Sequence, residues 1–280
     1  MKRLILTGIL VLATGFSGLM AQKNKKGKTD DAQTAPQPSG PRVKSQAEAQ
    51  AVQALGQAQD ADTVIKAAED LLTRFADTDF KDVALLMEAR AYQAKKDDAK
   101  AQIFAERALE ANPKSYQTTM LLGELLAAHI GEHDFDRDDK LTRAEKYLND
   151  SIAAVTAAAK PNATLPDAQW EEIKKAAVAE GHNALGVLAL DRKNYDAAIK
   201  EFQTAIANDP QGAYMVRLAS SEVQAGKLDD AIALCDKLMA DQQNPTQVRQ
   251  VAQAVRSQAL TKKNAGAPAA AAPSAAAPKQ

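Results

Sequence analysis

An all-α fold built from repeated helix-turn-helix units is what this sequence predicts, and three observations carry the prediction. Aromatic residues make up only 4% of the chain while alanine is abundant, and small side chains both favour helix and let neighbouring helices approach closely. Small residues return at one fixed interval of about 34 residues, the signature of a repeated unit. Apolar residues within each segment follow the helical period, as in Val64, Ala67, Ala68, Leu71, Leu72 and Phe75. With 280 residues and 45% hydrophobic content, the chain has apolar material for one elongated domain or two small ones.

The two ends read differently from the middle. Residues 1–21, MKRLILTGILVLATGFSGLMA, have a basic start at Lys2 and Arg3, an apolar stretch from Leu4 to Phe16 and small residues ending at Ala21. This is the layout of a secretory signal peptide with Ala21 the last residue removed. Thr7, Gly8, Thr14 and Gly15 interrupt the apolar stretch, which falls short of the ~20 apolar residues that a spanning helix needs. The expectation is therefore an exported protein, periplasmic or extracellular, with no stable membrane insertion after cleavage. Residues 22–44, rich in Gln, Lys, Thr and Pro, read as a disordered linker, and residues 263–280 as a disordered Ala/Pro-rich tail. Cys235 is the only cysteine, so the oxidising compartment that export implies supplies no disulfide and stability must come from packing.

Between the ends, residues 45–262 divide into units at about 45–79, 80–113, 114–161, 167–210 and 211–243, closed by a helix at 246–262. The best-marked unit is GHNALGVLALDRKNYDAAIKEFQTAIANDP, from Gly181 to Pro210. Its Leu185, Gly186, Ala198, Phe202, Ala205 and Pro210 stand at the offsets of the tetratricopeptide repeat, which this segment closely resembles. Each residue has a physical task. Gly186 and Ala198 are small where the two helices of the unit cross; Phe202 and Ala205 form a large and small pair directed at the next unit; Pro210 stops the second helix. One period on, Leu218, Ala219, Gly226, Leu228, Ala231 and Leu238 repeat the scheme, with Gly226 at a tight turn that calls for positive φ and Cys235 in the place of Phe202. Earlier in the chain, Ala89, Tyr92, Ala101, Ala108 and Pro113 fit the same offsets, but Glu88 stands where leucine is usual.

The resemblance, over roughly 200 residues, implies a right-handed superhelical solenoid of tetratricopeptide repeats whose first helices line a concave groove for a protein or peptide ligand. Carried onto this chain, the groove-facing offsets fall on Arg90, Gln93, Asn183, Val187, Ser220 and Gln224.

The unit at 114–161 departs from the pattern. Gly123 and Ala144 are 21 residues apart where Gly186 and Ala198 are 12 apart, which places about nine extra residues between its helices. The extra segment, DFDRDDKLTRAE, sets Asp134, Asp136, Asp138 and Glu145 at calcium-loop spacing, with Asp139 where the template requires glycine. A calcium-responsive binding protein using those four residues is the alternative functional reading. The plainer account is that acids gather before a helix because they favour its positive end. His129 and His133 are one helical turn apart, but Ile130 stands where a zinc-protease motif needs Glu.

Charge and motifs narrow the function classes. A net charge of -1, with no Lys/Arg face interleaved with aromatics, gives no basis for nucleic-acid binding. No G-x-S-x-G, phosphate-cradling glycine loop or Cys/His nucleophile set occurs, and carboxylates read as solvated charge along helix faces. The sequence thus predicts an exported scaffold or adaptor that mediates protein–protein interactions in the cell envelope, with no catalysis and no cofactor.

Overall fold

The computed structural model describes residues 41–131, 133–161 and 164–266. Among the described residues the secondary structure is α1 (Gln46–Gln57), α2 (Ala61–Arg74), α3 (Lys81–Ala94), α4 (Asp98–Ala111), α5 (Tyr116–Ala128), α6 (Arg137–Ala157), α7 (Asp167–Asp191), α8 (Tyr195–Asn208), α9 (Gly212–Gln224), α10 (Leu228–Ala240) and α11 (Thr246–Gly266), with no strand. The expected signal peptide, most of the linker and all but the first residues of the expected tail lie outside the described residues. The chain divides into two compact units, one up to Lys174 and one from Lys175, and the division falls within α7.

In the first unit, helices adjacent in sequence are neighbours in space from α1 to α6, and α3 also touches α5. One apolar cluster joins α1, α2 and α3 through Leu55, Val64, Ala68, Leu71, Ala84 and Met87. A second joins α3, α4 and α5 through Leu85, Ala89, Ala101, Ala105, Leu121 and Leu122. Contacts begin a little before α1: the Lys44 ammonium lies 3.2 Å from Asp79, and Ser45 caps the helix by accepting from the Glu48 N–H. Asp60 and Thr63 form a reciprocal capping box that starts α2.

In the second unit, α8, α9, α10 and α11 pack in sequence order, and α9 also meets α11. Its clusters centre on Phe202 with Ala198, Ile199 and Leu218, and on Cys235 with Ala219, Val223, Leu238, Ala252 and Ala259. Burial pushes the Cys235 thiol up to about 11, so it is a protonated core side chain at neutral pH. α11 continues to Gly266, four residues past the expected boundary, because nothing before Pro268 breaks the helical pattern of LTKKNAG.

Two local devices set how helices pair. The first is a notch. A Cβ placed on Gly186 would lie 2.6 Å from Cε1 of Phe202, so the ring occupies the space the glycine leaves open. Phe202 thus fills its own hairpin as well as touching Leu218 of the next helix, where the sequence reading directs it only to the neighbouring unit. Gly123 serves Leu148 in the same way, with a hypothetical Cβ 2.7 Å from Cγ of the leucine.

The second device is a turn used three times. Lys96, Lys193 and Gly226 all have positive φ, at 60°, 57° and 79°. In each case the next N–H reaches back over the helix end: Asp97 to the Tyr92 carbonyl at 3.0 Å, Asn194 to Ala189 at 2.8 Å and Lys227 to Glu222 at 2.8 Å. This is the Schellman closure, which satisfies the last helical carbonyls and reverses the chain. Gly226 takes up the left-handed conformation that its place in the pattern requires, whereas the two lysines adopt it at a cost of roughly 1–2 kcal/mol each. Asp97 and Asn194 then cap the following helices by accepting from the Lys100 and Ala197 N–H groups.

Two substitutions test these devices. Gly186→Val drives a branched side chain into the Phe202 ring and is expected to lower stability by about 1–3 kcal/mol, read from urea denaturation. Lys96→Gly relieves the left-handed strain and is expected to raise it by about 0.5–1 kcal/mol in the same assay.

Candidate partner-binding surface

The six residues expected to face a groove lie on first helices of their hairpins, α3, α7 and α9, and are distributed between the two units. In the first unit, Arg90 and Gln93 are half-buried on α3. The Nε of Arg90 is sealed from solvent without a hydrogen-bond partner.

The other four lie in the second unit, and the structure gives most of them partners that the sequence did not announce. Asn183 on α7 accepts through Oδ1 from Nη1 of Arg217 on α9. Gln224 near the end of α9 accepts through Oε1 from Nζ of Lys262 on α11 at 3.4 Å, and the same ammonium donates to the Val223 carbonyl at 3.3 Å. Val187 packs on the rim of the Phe202 cluster, and Ser220 is half-buried on α9. Arg217 and Lys262 are each held by a neutral amide oxygen, so these bonds position the cations without cancelling their charge. Carbonyl and carboxylate groups of a bound chain would find exposed N–H donors there. By contrast, Arg256 on α11 is committed to Asp236 on α10 at 2.6 Å and Lys227 to Asp196 at 2.9 Å. Arg217 and Lys262 escaped the sequence reading because neither stands at a groove offset; only the side-chain pairing places them beside residues that do.

Part of the acidic insertion is helix where the calcium-loop template has a loop. α6 begins at Arg137, which puts Asp138, Asp139 and Glu145 on its turns instead of in a loop. Just before and within the start of α6, the Lys140 ammonium lies 2.9 Å from Asp134 and 3.0 Å from Asp136. The Asp134 carboxylate also accepts from the Gly131 N–H at 3.0 Å, and its hydrogen bond from Lys140 lowers its pKa. Lys140 thus bridges the Asp134 and Asp136 carboxylates, and no group of three His, Cys, Asp or Glu side chains gathers among the described residues. Both ring nitrogens of His129 are engaged, with the Leu125 carbonyl at 2.8 Å and with Asp98 at 3.1 Å. Phe135, next to Asp134 and Asp136, is fully exposed.

The expectation that carboxylates are solvated fails at Glu48, Glu88 and Glu222, all of them buried. Glu48 is satisfied: it accepts from the Thr78 hydroxyl at 2.6 Å and from the Lys44 N–H at 2.5 Å. Glu88 is not, since both its oxygens are sealed without a partner, and neither is Oε2 of Glu222. Desolvation raises each of these two carboxyls to about 7. Glu88 had its signal in the sequence, an acid in a leucine position; Glu222 had none.

The hairpins, their small-residue notches and the recurring turn define an α-helical repeat protein. A family model described as tetratricopeptide repeat matches residues 189–255, within the second unit. The fold is shared with a thermophilic TPR protein of Thermus thermophilus, 18% identical, with a TM-score of 0.53 over 75% of this chain and 95% of that one. A second solved structure, an assembly chaperone of RpL4 (residues 1–338), aligns over 79% of this chain and 98% of its own at 12% identity, with a TM-score of 0.39. No curated protein sequence matches the chain significantly.

With Lys140 seated on Asp134 and Asp136, millimolar calcium is expected to leave the melting temperature of the full chain unchanged. A rise of several degrees in differential scanning fluorimetry would contradict the assignment of the insertion.

Proposed function

We propose that this protein is an exported scaffold or adaptor that mediates protein–protein interactions in the cell envelope and carries out no catalysis. The observation that carries this reading is the α7–α9–α11 surface of the second unit, where Arg217 and Lys262 are held in place by Asn183 and Gln224 with their charge left free for a partner. Tetratricopeptide hairpins make such surfaces from their first helices, and protein or peptide chains supply the carbonyl and carboxylate acceptors that fit. Export is supported by the basic, apolar and small-residue segments of residues 1–21. No described helix is long and apolar enough to cross a membrane. The reading without catalysis rests on the sequence, where no G-x-S-x-G, phosphate-cradling glycine loop or Cys/His nucleophile set occurs.

Two measurements test the proposal. N-terminal sequencing of the protein recovered from the envelope fraction should begin at Gln22; an intact Met1 in the cytoplasmic fraction would refute export. In crosslinking from living cells, Arg217→Glu together with Lys262→Glu should reduce the recovery of bound protein several-fold while leaving the helical circular dichroism unchanged. Undiminished recovery would remove the α7–α9–α11 surface from the binding role.

A further inference from the structure

Glu88 and Glu222 play no part in partner binding as described above, yet among the described residues they are buried carboxyls with oxygens left unpaired. Glu88 is 1% exposed on α3 with neither oxygen hydrogen-bonded, and Glu222 is 7% exposed on α9 with Oε2 unpaired. A buried carboxylate lacking hydrogen bonds loses its solvation with nothing in return, whereas the neutral acid loses far less. Glu48 makes the contrast within the same fold: at the same 1% exposure it has found the Thr78 hydroxyl and the Lys44 N–H.

The charges acting on the two groups do not rescue the ionised form. Glu88 feels Glu69 from α2, which opposes ionisation, and Arg107 from α4, which favours it; burial outweighs both. Glu222 feels Asp230 from α10 against ionisation and Lys227 from the α9–α10 turn in favour, and again burial dominates. Arg107 and Lys227 are both turned to other tasks, the first over the Phe104 ring at 5.0 Å and the second on Asp196.

We infer that Glu88 and Glu222 are proton-operated latches, one in each unit, whose neutral forms let α3 and α9 pack tightly and whose ionised forms loosen those helices from their neighbours. The sign follows from linkage. Each carboxyl is raised from an ordinary value of 4.5 to about 7 on folding, so between those values the folded state holds protons that the unfolded state has released. Stability therefore falls as pH rises through this window and levels off above it. Across pH 6 to 8 each latch loosens its helix by a factor of about ten, the ratio that the two pKa values give. The device sits in first helices, α3 carrying Arg90 and Gln93 and α9 carrying Arg217, Ser220 and Gln224, so ambient acidity would set how firmly those surfaces are held.

Amide hydrogen exchange on the full chain tests this, read separately for residues 81–94 and 212–224 and corrected for intrinsic exchange. In the unmodified protein the opening constant of both helices should rise about tenfold from pH 6 to pH 8. Glu88→Gln should flatten the response of residues 81–94 while residues 212–224 keep theirs, and Glu222→Gln should do the reverse. Carboxyl 13C titration of the unmodified protein, which needs no variant, should place two glutamates near 7. Opening constants that do not change with pH, glutamine variants that retain the full response, or all glutamates titrating near 4.5 would each overturn the inference.

Discussion

The close approach of two helices at a residue with no side chain is the constraint on which the rest of this structure depends. At Gly186 the Phe202 ring occupies the place of the missing Cβ, and at Gly123 the Leu148 side chain does so. Ala89 and Ala219, the corresponding small residues of two other hairpins, are completely buried, as are Ala101, Ala198 and Ala231 on the partner helices. A bulky residue on one side and a notch on the other fixes the sliding position of a helix pair, because a shift of one turn would drive the bulk into a neighbouring side chain. The recurring left-handed turn at Lys96, Lys193 and Gly226 acts with the notch by reversing the chain at a set angle.

That constraint also explains where polar groups can and cannot go. Once the seams are made of alanine, glycine and leucine, they offer few donors, and an acid caught in one is stranded. Glu48 lies near a hairpin end, where the Thr78 hydroxyl and a free backbone N–H are within reach. Glu88 lies in the middle of α3 and Glu222 in the last turn of α9, and the backbone N–H groups near both are already committed to the helix. The same helical commitment makes the seams stiff and the acids conspicuous.

The outward side of the hairpins obeys other rules. Ion pairs there are mostly exposed, such as Arg74 with Asp70 and Lys146 with Asp150, and exposed pairs contribute little to stability. Arg217 and Lys262 differ in being held by amides, which orient a cation without neutralising it. In the third hairpin the added length became extra helix and a short turn where Lys140 bridges Asp134 and Asp136, with Phe135 left in solvent. Embellishment of a repeat therefore went into a connection, where it disturbs no seam.

The sequence by itself determined the all-α class, the helical hairpins and the small residues at their crossings, because the identities of Gly186, Ala198, Phe202 and Ala205 are dictated by contacts at fixed helical spacing. It also determined the positive φ of Gly226 and the inert character of Cys235, both local consequences of residue type and position in the repeat. The tertiary structure alone decided the division of the chain within α7, the pairing of Asn183 with Arg217 and of Gln224 with Lys262, and the seating of Lys140 between Asp134 and Asp136. It alone separated a satisfied Glu48 from an unsatisfied Glu88. Spacing along a chain says which face of a helix a side chain occupies, whereas the charge a side chain meets and the hydrogen bonds it finds belong to residues far away in sequence, which only packing brings within reach.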